Sequence, residues 1–359
     1  MEQTTSPRDP ARQPLRWAVL GAAVAGVVLA FGYVGGWLAP ARLTPARIVD
    51  ALQANGGLHP GYRRNHAKGI CVSGYFEGNG AASVYSTAPF FAVGKAPVVG
   101  RFALPGGNPY APDSSVPIRS MALRLTAPDG EQWRTGMNSM PVFPLATPQA
   151  FYEQAVASAP DPKTGKPDPG KLKAFVGAHP EMAQFLAWVK GARPSASFAT
   201  ETYYSLNAFY LVDKDGKRQA VRWRMAPQQA GGAGDPAPAG EPDILREDLP
   251  RRIAAGPQRW KLLLTLAAPG DPVDDATRSW PADRTTIDAG TLVLDGVAPQ
   301  DSGPCRDVNY DPTVLPAGIQ VSHDPLLAAR AAAYADSYLR RTSEEAGIPG
   351  AAPLSSEKK

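Results

Sequence analysis

Arg63-Arg64-Asn65-His66-Ala67-Lys68-Gly69 sets an imidazole among three cations and a glycine, at the mouth of the apolar run Cys71 to Phe76. A second stretch far downstream answers it. Asp324 and Pro325 read as the N-cap and first residue of an alanine-rich helix running from Leu326 to Arg341. On it Arg330, Tyr334 and Arg341 fall at i, i+4 and i+11, along one face at 3.6 residues per turn. Small neighbours let something flat and large approach that face. Guanidiniums beside a phenol favour its ionised form, and a phenolate is a hard ligand for ferric iron. Taken alone, the helix also reads as an amphipathic terminal helix with solvated arginines and a packed tyrosine. A lone histidine is likewise usually structural.

Outward from these stretches, the 359-residue chain is 43% hydrophobic and 19% charged, enough apolar material for one large core or two modest ones. With 35 glycines and 38 prolines, turns and short strands are expected rather than long helices. Apolar runs at Val98–Leu104, Ser120–Thr126, Tyr203–Val212, Val221–Met225, Trp260–Ala267 and Thr291–Leu294 join Cys71–Phe76 to predict roughly six to eight strands. Asp129-Gly130 and Asp215-Gly216 read as hairpin turns. Helices are expected from Thr44-Pro45 to Asn55-Gly56-Gly57, after Thr147-Pro148, and around Lys171 to Lys190, so the class is α+β rather than all-β. Gly231 to Pro242 reads as an exposed loop, and the tail ending Ser-Ser-Glu-Lys-Lys as disordered.

The charge balance, 37 Lys+Arg against 33 Asp+Glu, gives +4, and no basic run interleaves with aromatics, so a nucleic-acid partner is not expected. Two cysteines and four histidines offer no Cys-x-x-Cys or His-x-x-x-His spacing, and any metal is expected to arrive inside a cofactor. Gly78-x-Gly80 continues to Ser83 instead of a glycine, no Walker loop appears, and Ser73 lacks the nucleophile-elbow spacing. Trp17 to Ala39 carries no charge and is bracketed by Trp17 and Trp37, which predicts a membrane-spanning helix. Arg8, Arg12 and Arg16 before it, against Arg42 and Arg47 after it, tilt the N-terminus toward the cytoplasm. A cleaved signal peptide is the competing reading, although the run exceeds a typical h-region and no small-x-small site closes it. Cys71 and Cys305 are the only cysteines: in an oxidising compartment they form a bridge, otherwise they are two inert buried thiols.

Arg63 to Gly69 is followed, in one order, by Arg101-Phe102, Asn138 before Pro141-Val142-Phe143, Asn309-Tyr310-Asp311-Pro312-Thr313, Ser322-His323-Asp324-Pro325-Leu326-Leu327 and the Arg330 to Tyr334 pair. Together these resemble the heme catalase family, over roughly His59 to Phe151 and Tyr310 to Arg341. Nearest in look is its short, membrane-anchored, periplasmic branch, the catalase-related peroxidases. The resemblance implies a catalase-like antiparallel β-barrel with flanking helices and a bound heme b. Tyr334 would be the axial ligand of the iron, tyrosine being the ligand known for catalases. Arg330 would keep that ligand ionised, and Arg63, Arg101 and Arg341 would receive the heme carboxylates. Phe143 and Phe151 match aromatics near the heme face or distal pocket, or are ordinary core. His66 would shuttle the proton that heterolysis of the peroxide bond requires, and Asn138 would orient the substrate.

Three departures from the large catalases bear on activity. Ala103 stands where they carry a serine near the distal histidine, Pro117 where they place a channel aspartate two residues before the arginine matched by Arg119, and Asn65 where valine usually precedes the histidine. The expected function is a heme-dependent peroxidase that reduces hydrogen peroxide or organic peroxides with a small organic electron donor, and has weak catalase activity. Two other readings stay open: an organic hydroperoxide isomerase or dehydratase, and a non-catalytic heme-binding protein. The expected layout is a cytoplasmic segment 1–16, an anchor 17–39, a catalase-like heme domain 44–345 and a polar tail 346–359. The catalytic domain is expected in the periplasm, held at the inner membrane, as a monomer or weak dimer.

Overall fold

The computed structural model describes residues 13–39, 42–228 and 242–347, so the Gly231–Glu241 segment, Arg8, Arg12 and the tail beyond 347 lie outside the described residues. By its internal contacts the chain divides into two units, residues 1–47 and 48–359. The first is dominated by helix α1 (Gln13–Val34), which from Pro14 onward is long and apolar enough to cross a membrane. The helix starts earlier and ends sooner than the predicted 17–39. Gly35 and Gly36 stop it, Gly36 at φ +82°, a left-handed conformation that costs a glycine little.

Helix α2 (Pro45–Gly56) opens on Thr44, whose hydroxyl accepts from the Arg47 N–H at 3.3 Å. The second unit is built on antiparallel strands β1 (Gly69–Gly78), β2 (Gly94–Ala103), β3 (Ser120–Thr126), β4 (Gln132–Asn138), β5 (Tyr203–Tyr204), β6 (Phe209–Val212), β7 (Arg218–Pro227), β8 (Gln258–Leu266), β9 (Thr286–Pro299) and β10 (Ile319–Val321). Pairing runs β7-β5-β4-β3-β2-β1-β9-β8, and β8 pairs back onto β7, which closes an eight-stranded barrel; β6 and β10 extend from β7. The expected α+β barrel is therefore present, with more strands than predicted. The run Tyr203–Val212 is two strands rather than one, because Leu206 turns the chain with φ +64°.

Alternation fills the barrel. Met121, Leu123 and Leu125 on β3 and Trp133 and Met137 on β4 are buried in one cluster with Phe102, Tyr203 and Trp260. Phe102 stacks on Phe198 with centroids 5.1 Å apart and meets Tyr203 and Trp260 at 5.6 and 5.8 Å. The intervening residues, Arg101, Ala103, Ser120, Ala122, Gly136 and Asn138, face the other way. Gly130 and Gly216 make the two hairpin turns, both at positive φ as predicted.

Helix α3 (Pro148–Ala157) is capped by Thr147, whose hydroxyl accepts from the Ala150 N–H at 3.1 Å. The expected helix around Lys171–Lys190 is broken into α4 (Pro169–Ala178) and α5 (Ala183–Gly191), because Pro180 ends the first. Helix α6 (Ile244–Ala255) was not predicted; its internal Pro250 hides it. Helix α7 (Pro325–Glu345) opens on Asp324, whose side chain accepts from the Leu326 N–H at 2.9 Å. Helices α3 and α7 contribute to the side of the barrel that Arg101, Ser120 and Asn138 face, whereas α6 sends Leu245 and Leu249 into the inner cluster.

Cys71 on β1 and Cys305 before β10 are paired as a disulfide, with Cα atoms 5.3 Å apart and a sequence separation of 234. In the oxidised protein this bridge is expected to stabilise the fold by up to about 5 kcal/mol on a chain-entropy account. The check is alkylation under denaturing conditions: two equivalents incorporated only after reduction, and a lower denaturation midpoint for the reduced form. Incorporation without reductant would contradict it.

Candidate functional site

A cleft of about 200 Å³ lies between the outer barrel face and α7. Its floor comes from strand register. Ala103, Ser120 and Asn138 are neighbours across β2, β3 and β4, and so are Arg101, Ala122 and Gly136 one row along. Small side chains in the middle of these rows leave a flat surface. Gly136 gives Arg330 room there: a Cβ would lie 3.0 Å from Arg330 Nη2, which donates to the Gly136 carbonyl at 3.2 Å. Gly69 is required, since a Cβ would run into the Phe102 carbonyl and the Arg101 guanidinium.

All nine of the predicted chemical residues other than the cysteines line this cleft: His66, Asn138, Arg63, Arg101, Phe143, Phe151, Arg330, Arg341 and Tyr334. On one side, Arg330 places Nη2 3.4 Å from Tyr334 Oη, one helical turn away. On the other, His66 is half-buried, and its Nδ1 is buried with no hydrogen-bond partner among the described residues. Burial, then the charges of Arg101, Arg330 and Arg63, push its pKa down to about 3, so the ring is neutral over the physiological range. Asn138 Oδ1 accepts from the Ser120 hydroxyl at 2.6 Å, which leaves the amide NH2 to donate. Phe143 and Phe151 stack at 6.1 Å.

The arginines set the electrostatics. Arg63, Arg64, Arg101, Arg330 and Arg341 line the cleft, and no aspartate or glutamate does. Arg64 is answered by an ion pair with Glu344. Arg63 Nη2 donates to the carbonyls of Cys305, Arg306 and Val308 at 3.0–3.2 Å, and burial with the Arg341 charge beside it lowers its pKa to about 10. Arg101 donates to the Ala67 carbonyl and Gln300, yet its Nε has no partner among the described residues; Arg341 is 2% exposed, brings Nη1 to 3.5 Å from Asp307 and 3.8 Å from Glu345, and leaves Nε and Nη2 without a partner among the described residues. Buried guanidinium nitrogens aimed at an acid-free cleft fit a ligand that brings its own anionic oxygens. A planar dicarboxylate such as heme meets that description, with the Tyr334 phenol in reach of Arg330.

Sequence reading missed some contributors. Asn207 accepts from Arg330 Nη1 at 2.7 Å and donates to Asp324 at 2.7 Å, so a buried relay orients Arg330. It sits in the break between β5 and β6, which no local signal reveals. Ser120 is visible only once β3 and β4 are in register. Arg119, by contrast, is fully buried, donates to the Val116 and Ser195 carbonyls, and, like Pro117, is not part of the cleft wall.

The family model described as Catalase matches residues 51–355. A catalase-related peroxidase of Synechococcus elongatus is 37% identical over 329 residues, covering 91% of this chain and 96% of its own length. A protein of the same description from Mycolicibacterium paratuberculosis is 31% identical, covering 85% and 97%. A solved bacterial catalase superposes with a TM-score of 0.69 at 23% identity over 78% of this chain, a likeness of fold. The chain spans 57% of that catalase.

Because His66 is held neutral in the native site and has an ordinary pKa near 6.5 when unfolded, the unfolded chain binds one more proton below that pH. The ligand-free protein therefore loses stability as pH falls from about 6.5 toward 3, by on the order of 3 kcal/mol at pH 4 from this group. Urea melts across that range should show a shallower acid slope for His66→Gln than for the unaltered protein. Parallel slopes would remove the claim.

Proposed function

The chain belongs to the catalase family, and from that premise we propose that it is a heme-dependent peroxidase acting on hydrogen peroxide or organic peroxides with a small organic electron donor. The observation that carries this reading is the cleft with His66 and Asn138 on one side and the Arg330–Tyr334 pair on the other, ringed by arginines without acids. Tyr334 would hold the iron of a heme b, and Arg63, Arg101 and Arg341 would take its carboxylates. When bound, the heme supplies an iron and porphyrin able to take up and pass on the two oxidising equivalents of a peroxide.

The protein's share is positioning and proton handling. A neutral His66 has a lone pair to accept a proton from an entering peroxide, and the same nitrogen returns it to the departing oxygen. The unpartnered Nδ1 and the depressed pKa both favour quick return rather than retention of that proton. Asn138, its Oδ1 fixed by Ser120, donates to the peroxide and orients it. Arg330, fixed by Asn207, keeps positive charge at the Tyr334 oxygen. Ala103 offers no hydroxyl beside these groups, and the channel aspartate of large catalases is replaced by Pro117. Alignment of a second hydrogen peroxide is weakened, so turnover with an organic donor dominates over dismutation. Helix α1 would tether the domain to the inner membrane, with the heme domain in the periplasm, where the Cys71–Cys305 bridge is chemically stable.

Two substitutions test the assignment in the heme-loaded protein. His66→Ala should keep heme content and the ferric absorption spectrum while slowing the reaction with hydrogen peroxide about 10²- to 10⁴-fold, the range typical of a lost acid–base group. Tyr334→Phe should alter the ferric spectrum and lower heme retention. Oxygen release exceeding dye oxidation at equal heme would instead make the chain a catalase, and consumption of an organic hydroperoxide without any donor would make it an isomerase or dehydratase.

A further inference from the structure

Two described residues other than glycine have positive φ, and one is His66, at +57°. An L-residue rarely adopts this left-handed backbone unless its surroundings hold it there. The side chain gives no hold through Nδ1, which lacks a partner, and Ala103 in the same cleft wall has no polar atom to offer. The hold lies in the backbone. Asn65 Oδ1 accepts from the His66 N–H at 2.9 Å and from the Gly106 N–H at 2.7 Å. The crossing is closed from the other side by the Ala67 N–H, which donates to the Gly106 carbonyl at 2.9 Å, and by the Leu104 N–H, which donates to Lys68 at 3.0 Å. One amide oxygen thus stitches the turn before His66 to the segment that leaves β2.

We propose that Asn65 is the positioning residue for His66: by accepting both N–H groups it fixes the left-handed turn that presents the imidazole to the cleft, where Nδ1 of the ring has no tether. The proposal rests on the proton-handling role given above to His66. It explains why a polar residue stands at a position that faces the cleft and contributes no charge. Alanine removes the acceptor, aspartate keeps an oxygen in the same place, and glutamine moves it by one methylene.

The test compares Asn65→Ala, Asn65→Asp and Asn65→Gln with the unaltered chain, all heme-loaded, by amide hydrogen exchange and by the rate of reaction with hydrogen peroxide. In Asn65→Ala the His66 and Gly106 amides should exchange at least roughly fivefold faster, since both lose their acceptor. The peroxide reaction should slow about 10- to 100-fold, the scale of a misplaced catalytic group, while the ferric spectrum and donor KM stay unchanged. Asn65→Asp should stay within about threefold on both measures; if alanine does not fold, Asn65→Gln should show the same losses in milder form. Unchanged exchange and rate in Asn65→Ala would overturn the proposal, and so would equal damage in Asn65→Asp. A peroxide rate insensitive to His66→Ala would instead overturn the role of His66 while leaving the exchange result standing, so the two failures are separable.

Discussion

Buried positive charge that acids answer only in part is the constraint on which the site depends. Five arginines line the cleft and no carboxylate does. Taking a guanidinium out of water costs several kcal/mol unless something anionic or strongly polar answers it. Arg64 has Glu344, and Arg63 has three backbone carbonyls, but Arg101 and Arg341 keep buried nitrogens with no partner among the described residues. The arrangement becomes reasonable when the missing anions belong to a ligand, and the same charges then explain why His66 is neutral, since its pKa is lowered by burial first and by Arg101, Arg330 and Arg63 next.

The barrel makes that charge tolerable by rigidity. Its inner face is a continuous cluster around Phe102, Trp133 and Trp260, so the outer residues of β2, β3 and β4 have little freedom to relax away from the cleft. Helix α7 is attached to this surface at several points: Arg330 to the Gly136 carbonyl, Asp324 to Asn207, and the Arg64–Glu344 pair near its far end. That last pair ties the His66 segment to the helix carrying Tyr334. The two sides of the cleft are therefore held by the same few polar contacts, and a change at Glu344 would be felt at both.

Much of this was legible in the sequence because the relevant signals are local. Asp324-Pro325 announces α7, and the i, i+4, i+11 spacing puts Arg330, Tyr334 and Arg341 on one face whatever they pack against. Ser120–Thr126 and the Asp129-Gly130 turn predict a hairpin that the structure contains at those residues. What the sequence hid is non-local or interrupted. Asn207 gains its role only because a two-residue strand, a left-handed Leu206 and a return strand bring it under Arg330. Pro250 inside α6 disguises that helix, whereas around Lys171–Lys190 the helical signal is legible and only the break at Pro180 is not. The end of α1 is a case where glycine punctuation, not hydropathy, decides the boundary.

The two residues forced into left-handed backbone, His66 and Leu206, both line the cleft, one beside the proton-handling groups and the other next to the residue that orients Arg330. Such conformations persist only where neighbouring structure over-determines them. At His66 the Asn65 oxygen and the Gly106 segment supply that restraint, and at Leu206 it comes from Ser205, whose hydroxyl donates to the Asn207 carbonyl at 3.0 Å while its own carbonyl accepts from the Asn207 N–H at 2.8 Å. Strain on both sides, each held by a neighbouring polar side chain, means the imidazole and the guanidinium are set in place before any ligand enters. Preorganisation of this kind spares a reaction the cost of turning dipoles and charges as it proceeds, and on the proposed function the left-handed backbone at His66 and Leu206 serves that end.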